Sequence, residues 1–313
     1  MTGHYVQQLL LSTLLLGSFL AMSTVRADCV AGGGSQDLGA EPSNRVATTS
    51  LDYTFSSDFS CSGFVQLLDY NRIDATLVAA DFALTDNTTG ESLPYALYTD
   101  EARVEPFVLG QTREFGSTTL LDILNLFSSA NGSIPLYLRT SPANLPVGIY
   151  TDVINILWEW NYCSGIGALG ICLGRDSGTT NILIELQLEV VGNCVVQAND
   201  VHLGAVSFLT EAVEADMPVD VNCTRLMSYQ IYVDGGDHFD GAQRNMAKGE
   251  DTIAYQIRSA DKTTAIGPTL LNSQSVTGLG TTDRVNFRVS TLPTPVLPPP
   301  GVYFDNVRVI IEY

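Results

Sequence analysis

One pattern occurs twice in this chain and limits its fold more than any other feature. Gly148-Ile-Tyr150-Thr-Asp152 leads into a run through Ile154 and Ile156, and Gly301-Val-Tyr303-Phe-Asp305 leads into a run through Val307, Val309 and Ile311. In the second run Asn306, Arg308, Ile310 and Glu312 fall between the apolar residues. Apolar residues at every second position turn one face of an extended chain toward a core and the other toward water, so each copy predicts a half-buried strand. A proline-rich bend precedes each copy, LYLRTSPANLPVGIYTD over 136–152 and FRVSTLPTPVLPPPGVYFD over 287–305. Arg139 matches Arg288 and Pro142 matches Pro293. Further upstream each half carries a cysteine pair, Cys29 with Cys61 and Cys194 with Cys223. A tandem duplication follows, with its boundary near Val191-Gly192-Asn193. The expected units are 28–190 and 191–313.

The rest of the chain reads almost wholly as strands. Residues 64–68, 75–82, 134–138, 150–160 and 181–191 are rich in β-branched, aromatic and leucine residues, as are 219–221, 229–233, 253–257 and 285–289. Gly, Asn, Asp and Pro clusters separate them. Many short strands between such turn signals predict an all-β protein of two β-sandwich domains. One stretch, TTLLDILNLF at 118–127, has leucines at helical spacing and predicts a short helix over the core.

The two halves end differently. The first goes on through Cys163-Ser-Gly-Ile-Gly-Ala-Leu-Gly-Ile-Cys172, read as a loop, and then a further strand, TNILIELQLEVV, at 180–191. The second has no counterpart after Tyr313. The second domain is therefore expected to lack its final strand, leaving a groove of unpaired backbone and core that another chain could fill. Val302, Phe304, Val307, Val309, Ile311 and Tyr313 would border that groove. A sandwich that closes with fewer strands is the alternative.

Composition removes several functions. Acids outnumber bases 34 to 15 for a net charge of −19, which argues against nucleic acid or an anionic membrane as partner. Residues 1–27 read as a secretory signal, with an apolar run from Leu9 to Ala21 and small residues in Val25-Arg26-Ala27, although no Lys or Arg precedes the run. An even number of cysteines after such a signal implies disulfides, with fifteen pairings open for six cysteines. No nucleophile elbow or zinc-protease motif is present, so no enzyme, metal or cofactor is expected. His202 and His238 lack metal-ligand spacing, and Asp234, Asp237 and Asp240 do not have the spacing of a calcium loop. Trp158, Trp160 and Tyr162 share one strand face. Such a row can bind sugar rings, which makes a secreted lectin the alternative function, but core packing is the favoured reading.

Cys194-Val-Val-Gln-Ala with Leu203-Gly204 at a domain start, and Gly301-Val302-Tyr303-Phe304-Asp305 before a terminal strand ending in Tyr313, resemble the spore coat protein U domain. Two such domains in tandem resemble the tip adhesin of archaic chaperone–usher pili. The resemblance implies immunoglobulin-like sandwiches, of which the second needs a strand from outside. The implied partners are a periplasmic chaperone, an outer-membrane usher and an adjacent pilus subunit that donates its N-terminal strand. It implies the disulfides Cys29–Cys61 and Cys194–Cys223, leaving Cys163 and Cys172 to close their own loop. Cys29 follows the expected cleavage site almost at once, leaving no segment to donate, which fits a subunit at the end of a fibre. The resemblance implies secretion through the periplasm to the cell surface and attachment to abiotic or host surfaces, with biofilm formation. Attachment would use apolar loops at the far end of the first domain: Ile166, Ala168, Leu169 and Ile171 in the cysteine loop, Leu121, Leu124 and Phe127, and Tyr70 and Ile73.

Overall fold

The computed structural model describes residues 28–62, 72–115, 133–168, 171–207, 209, 211–294 and 297–313. In chain order the first half holds β1 (Asp28–Ala31), β2 (Gly34–Pro42), α1 (Ser43–Thr48), β3 (Asp52–Ser62), β4 (Arg72–Ala79), β5 (Ala83–Thr85), β6 (Ser92–Tyr98), β7 (Thr112–Glu114), β8 (Ser133–Thr140), β9 (Gly148–Ala168) and β10 (Ile171–Val191). The second half holds β11 (Cys194–Ala198), β12 (Glu214–Cys223), β13 (Ser228–Val233), β14 (Arg244–Lys248), β15 (Asp251–Ser259), β16 (Gln274–Thr277), β17 (Asp283–Thr291) and β18 (Val309–Glu312). The protein is all-β and its halves are immunoglobulin-like sandwiches, as the alternation requires.

In the first sandwich one layer runs β1-β3-β8-β6, and β4, β9, β10 and β2 form the other. The short β5 pairs with both β6 and β9, so the two layers are one curled sheet. All these pairings are antiparallel except that of β2 with β10, which is parallel. The alternation in β10 does what its sequence demands. Ile182, Ile184, Leu186, Leu188 and Val190 are buried, while Glu185 and Glu189 between them face water. The second sandwich repeats the plan with layers β11-β12-β17-β15-β14 and β16-β13-β18. Each sandwich has its own core, drawn from Cys29 to Val190 in one and from Met217 to Val289 in the other.

The duplication extends to single contacts. Cys29 lies opposite Cys61 across β1–β3, and Cys194 opposite Cys223 across β11–β12. Cys194 and Cys223 form a disulfide with Cα atoms 4.1 Å apart, and Cys29 is also disulfide-bonded. Arg139 makes a two-pronged bond to Asp52, its partner across β3–β8, at 2.7 and 2.8 Å. This bond holds the Asp52 carboxyl below its ordinary pKa. Arg288 meets Asp216, its partner across β12–β17, at 3.1 Å.

Two departures from the sequence reading concern the first sandwich. The stretch read as a cysteine loop continues the ladder: Cys163 lies opposite Arg175, Ile166 opposite Leu173, Gly167 opposite Cys172 and Ala168 opposite Ile171. Antiparallel strands need only a short connection, so the glycine-rich stretch can extend the hairpin. Ile73, expected in an exposed loop, lies in β4 with 2% of its surface exposed. It faces the core because it shares a face with Ala75 and Leu77, both fully buried. The strand expected at 64–68 and the helix expected at 118–127 lie outside the described residues.

The two sandwiches meet at a polar seam. The buried hydroxyls of Ser43 and Thr224 are 2.5 Å apart, and Thr224 also accepts the backbone N–H of Asn193 at 2.8 Å. Arg225 pairs with Glu91 at 2.6 Å and donates to the Asn144 carbonyl at 3.0 Å. Asn144 returns a bond to the Leu279 carbonyl at 3.1 Å.

Candidate functional site

The Gly-x-Tyr-x-Asp motif builds the same corner twice. Tyr150 donates its hydroxyl to the carbonyl of Pro146 at 2.9 Å, and Tyr303 to that of Pro299 at 2.7 Å. Each ring thus pins the chain where the proline bend enters its strand, the device known in immunoglobulin-like sandwiches as a tyrosine corner. The aspartate two residues on ties that strand to the opposite layer. Asp152 accepts the Tyr95 hydroxyl at 2.6 Å and the Asp81 N–H at 3.2 Å. Asp305 accepts the Tyr255 hydroxyl at 2.7 Å, while its other oxygen is 2.9 Å from the His238 ring nitrogen. Burial, and then the adjacent carboxylate, push both tyrosine hydroxyls well above their ordinary pKa. A Cβ at Gly148 would lie 2.1 Å from an oxygen of Asp86, so any larger residue there displaces that side chain. Asp152→Ala leaves the buried Tyr95 hydroxyl without its acceptor. It is expected to cost about 1–3 kcal/mol, read as a lower urea midpoint for the first sandwich.

After this shared corner the copies diverge. In the first, Tyr150, Ile154, Ile156 and Trp158 are fully buried, because β9 is paired on both edges, to β4 and to β10. In the second, Val307, Val309 and Ile311 are only partly buried. Regular pairing begins at Val309 and is made to β13 alone. Among the described residues no strand pairs with the other edge of β18. Upstream, Phe304 bridges Ala247 of β14, in the place of the Thr85 to Thr151 pair of the first copy, and the carbonyls of Asn306 and Arg308 accept the N–H groups of Asp237 and Asp234.

The strand expected from Val302 to Tyr313 is therefore ordered as a strand only at its end. Without a neighbour on its open edge, the upstream half has too few backbone partners to form a ladder. Val302 and Phe304 also face the wrong way for a groove wall. They are 82% and 60% exposed, whereas Tyr303, Asp305, Val307, Val309 and Ile311 alternate inward. Val302 and Phe304 lie an odd number of residues from Val307, so the period of two sets them on the outer face. Tyr313 is 64% exposed and stands beside the linker at Gly192.

Of the residues expected to form the attachment surface, Tyr70, Leu121, Leu124, Phe127 and Leu169 lie outside the described residues. The backbones of Ile166, Ala168 and Ile171 are in the β9–β10 ladder. Side chains from Tyr162 to Gly174, including the sulfurs of Cys163 and Cys172, are not described, so the bridge expected between those cysteines is left as an expectation. The aromatic row is not laid out for sugar. Trp158 is fully buried, stacked on Phe59 at 4.5 Å. Trp160 sits edge-on to Phe59 and donates its indole N–H to Asp176 at 3.0 Å. That carboxylate also accepts the N–H of Cys29 at 3.0 Å. Asp234, Asp237 and Asp240 accept bonds from Gly236 and Arg308, from Asn306, and from Ala242 and Gln243 respectively. Among the described residues no group of three or more His, Cys, Asp or Glu could hold a metal ion.

Known proteins match this arrangement. The family model of the Spore Coat Protein U domain matches residues 15–157 and again 180–310. A solved structure, the CsuC–CsuE chaperone–tip adhesion subunit pre-assembly complex from archaic chaperone–usher Csu pili of Acinetobacter baumannii, contains a chain of similar fold. The TM-score is 0.66 at 23% identity, covering 91% of this chain and 100% of that one. The CupB6 tip adhesin of Pseudomonas aeruginosa covers 91% of this chain and 94% of its own at 12% identity, with a TM-score of 0.34 that carries no argument. No curated protein sequence matches the chain. With one copy of the domain matched on each half, the chain belongs to the Spore Coat Protein U domain family.

Proposed function

We propose that this protein is the tip adhesin of a chaperone–usher pilus. Residues 28–190 form the domain that meets a surface, and residues 191–313 form the domain that joins the fibre by accepting a strand from another chain. The observation that carries the reading is the contrast between β9, paired on both edges, and β18, paired on one. A sandwich with such an edge exposes backbone donors beside half-covered Val307, Val309 and Ile311. An extended segment with alternating apolar residues would complete both at once. A periplasmic chaperone would supply that segment during secretion and an adjacent subunit would supply it in the fibre, with an usher in the outer membrane between the two. Likeness in fold to a chain of a chaperone–tip adhesin complex supports the reading.

Attachment is assigned to the far end of the β9–β10 hairpin, with Ile166, Ala168, Leu169 and Ile171, together with Leu121, Leu124, Phe127 and Tyr70. The burial of Trp158 weighs against the lectin alternative. The test is adhesion of the full chain to bare polystyrene and to glycan-coated beads. The reading expects binding to plastic that free sugar leaves unchanged and that Ile166→Asn with Leu169→Asn lowers at least about tenfold, the loss of two buried apolar contacts. Binding to glycan beads alone, abolished by free sugar, would overturn it in favour of the lectin.

A further inference from the structure

The β9–β10 hairpin outruns the sandwich that carries it. Pairing of β4 with β9 ends at Arg72 opposite Asn161, and pairing of β2 with β10 begins only at Ile184. From Tyr162 and Asp176 to the turn, β9 and β10 pair among the described residues with each other alone. At about 3.3 Å per residue, the stretch from Tyr162 to Ala168 carries the turn about 20 Å past the last pair with β4. A lone two-stranded hairpin is marginally stable in water and free to swing about its root. Asp176 stands at that root. Ile182, Ile184 and Leu186 mark the inward face of β10, and the period of two carries that face back through Thr180 and Gly178 to Asp176. These three are half-buried, while Thr179, Ser177 and Arg175 between and beyond them are exposed. A carboxylate thus takes a core-face position at the rim of the sandwich. It accepts the indole N–H of Trp160 at 3.0 Å and the backbone N–H of Cys29 at 3.0 Å, both on Oδ2. Cys29 is buried, disulfide-bonded and part of β1, in the opposite layer. Gly178, across from Trp160, leaves the space the indole fills, since a Cβ there would lie 2.4 Å from the ring. Phe59 of β3 meets the same indole edge-on at 5.6 Å.

We propose that Asp176 is a positioning residue for attachment: it locks the root of the hairpin to the opposite layer and fixes the direction in which Ile166, Ala168, Leu169 and Ile171 are presented. This rests on the attachment reading above and deepens it. A surface contact made by a swinging hairpin must order it at the moment of binding. With Asp176 in place that ordering is already done, so less of the binding free energy is lost. The lock needs an acceptor at one atom rather than a charge. An amide oxygen in the same place accepts the same two N–H groups, whereas a methyl group accepts neither and leaves two donors unmet. Asn and Ala at this position therefore have opposite consequences.

The test compares the full chain with its Asp176→Ala and Asp176→Asn variants, by amide hydrogen exchange read by mass spectrometry and by adhesion to bare polystyrene. Asp176→Ala is expected to speed exchange across 162–176 about tenfold while 182–190 stays as slow as before. Its adhesion is expected to fall about fivefold. Asp176→Asn is expected to keep both at the level of the unsubstituted chain. Unchanged exchange at 162–176 in Asp176→Ala would show that there is no lock. Exchange sped along the whole of β10, or an Asn variant as fast as the Ala variant, would make Asp176 a residue of the fold and overturn the inference. Faster hairpin exchange with adhesion unchanged would overturn it too, because direction would then not matter to attachment. If the unsubstituted chain does not bind plastic, the attachment reading falls and takes the role in attachment with it, while exchange at 162–176 still decides the lock.

Discussion

Extending the chain past Tyr313 with Asn-Gly and a copy of residues 178–191 is expected to raise the melting temperature of the second sandwich by about 10 °C or more. Gly178 is paired with Trp160, and Trp160 corresponds to Tyr313 when the two motifs are aligned. A two-residue Asn-Gly turn would therefore place the copied strand in the register that β10 holds against β9. The copy carries Ile182, Ile184, Leu186, Leu188 and Val190, the residues that β10 buries. Burying a side chain of this kind contributes about 1.5–3 kcal/mol, and ordering each backbone residue costs about 1–2 kcal/mol. A net gain of roughly 3 kcal/mol is what remains once new ladder hydrogen bonds are included, and this sets the temperature shift. Calorimetry of the full chain reads it directly, because the transition that moves belongs to the second sandwich. An unchanged transition of the second sandwich would mean that it is already complete.

Trp158→Ala is expected to have the largest destabilising effect of any single substitution in the first sandwich. The side chain is fully buried between Phe59, 4.5 Å away and parallel, and Phe115, tilted at 5.6 Å. Its loss leaves a cavity among side chains that β9 and β10 hold in place, at a cost of about 3–5 kcal/mol. The first transition should fall by about 10 °C while the second is unaffected. The same variant separates the two functional readings. A lectin using Trp158 as a sugar platform would lose sugar binding with little change in melting. A core tryptophan loses stability first.

Most of the fold was legible because its signals are local. Alternation marks β10 and β17 without knowledge of their partners, and the repeated corner shows the duplication through a glycine, a tyrosine and an aspartate. The pairing of Cys194 with Cys223 is what the family resemblance implies, and the two lie opposite each other across β11–β12. The misreadings came where local signals conflict. Glycines between Cys163 and Cys172 look like a loop, but antiparallel pairing across the segment, Ile166 with Leu173 and Ala168 with Ile171, decides in favour of the strand. Counting parity from Asp305 would have placed Val302 and Phe304 outside the groove, since Tyr303 and Asp305 take the inward positions. The local sequence around Ile73 reads as a loop because its burial depends on β9, which comes more than seventy residues later. Two groups gave no signal. Arg244 is buried and donates to the carbonyls of Val233, Asp234 and Ile266, an arrangement no local pattern encodes. Asp176 joins Trp160 to the N–H of Cys29, 147 residues away.

The central claim is that the open edge of β18 is a seat for a strand, and occupancy tests it most directly. A fluorescent copy of residues 181–191 is titrated with the full chain and with the chain extended by Asn-Gly and residues 178–191, and its polarisation is recorded. Saturable binding to the natural chain and none to the extended one is the predicted result, because the appended strand fills the seat. Equal binding to both, or binding to neither, would contradict the account.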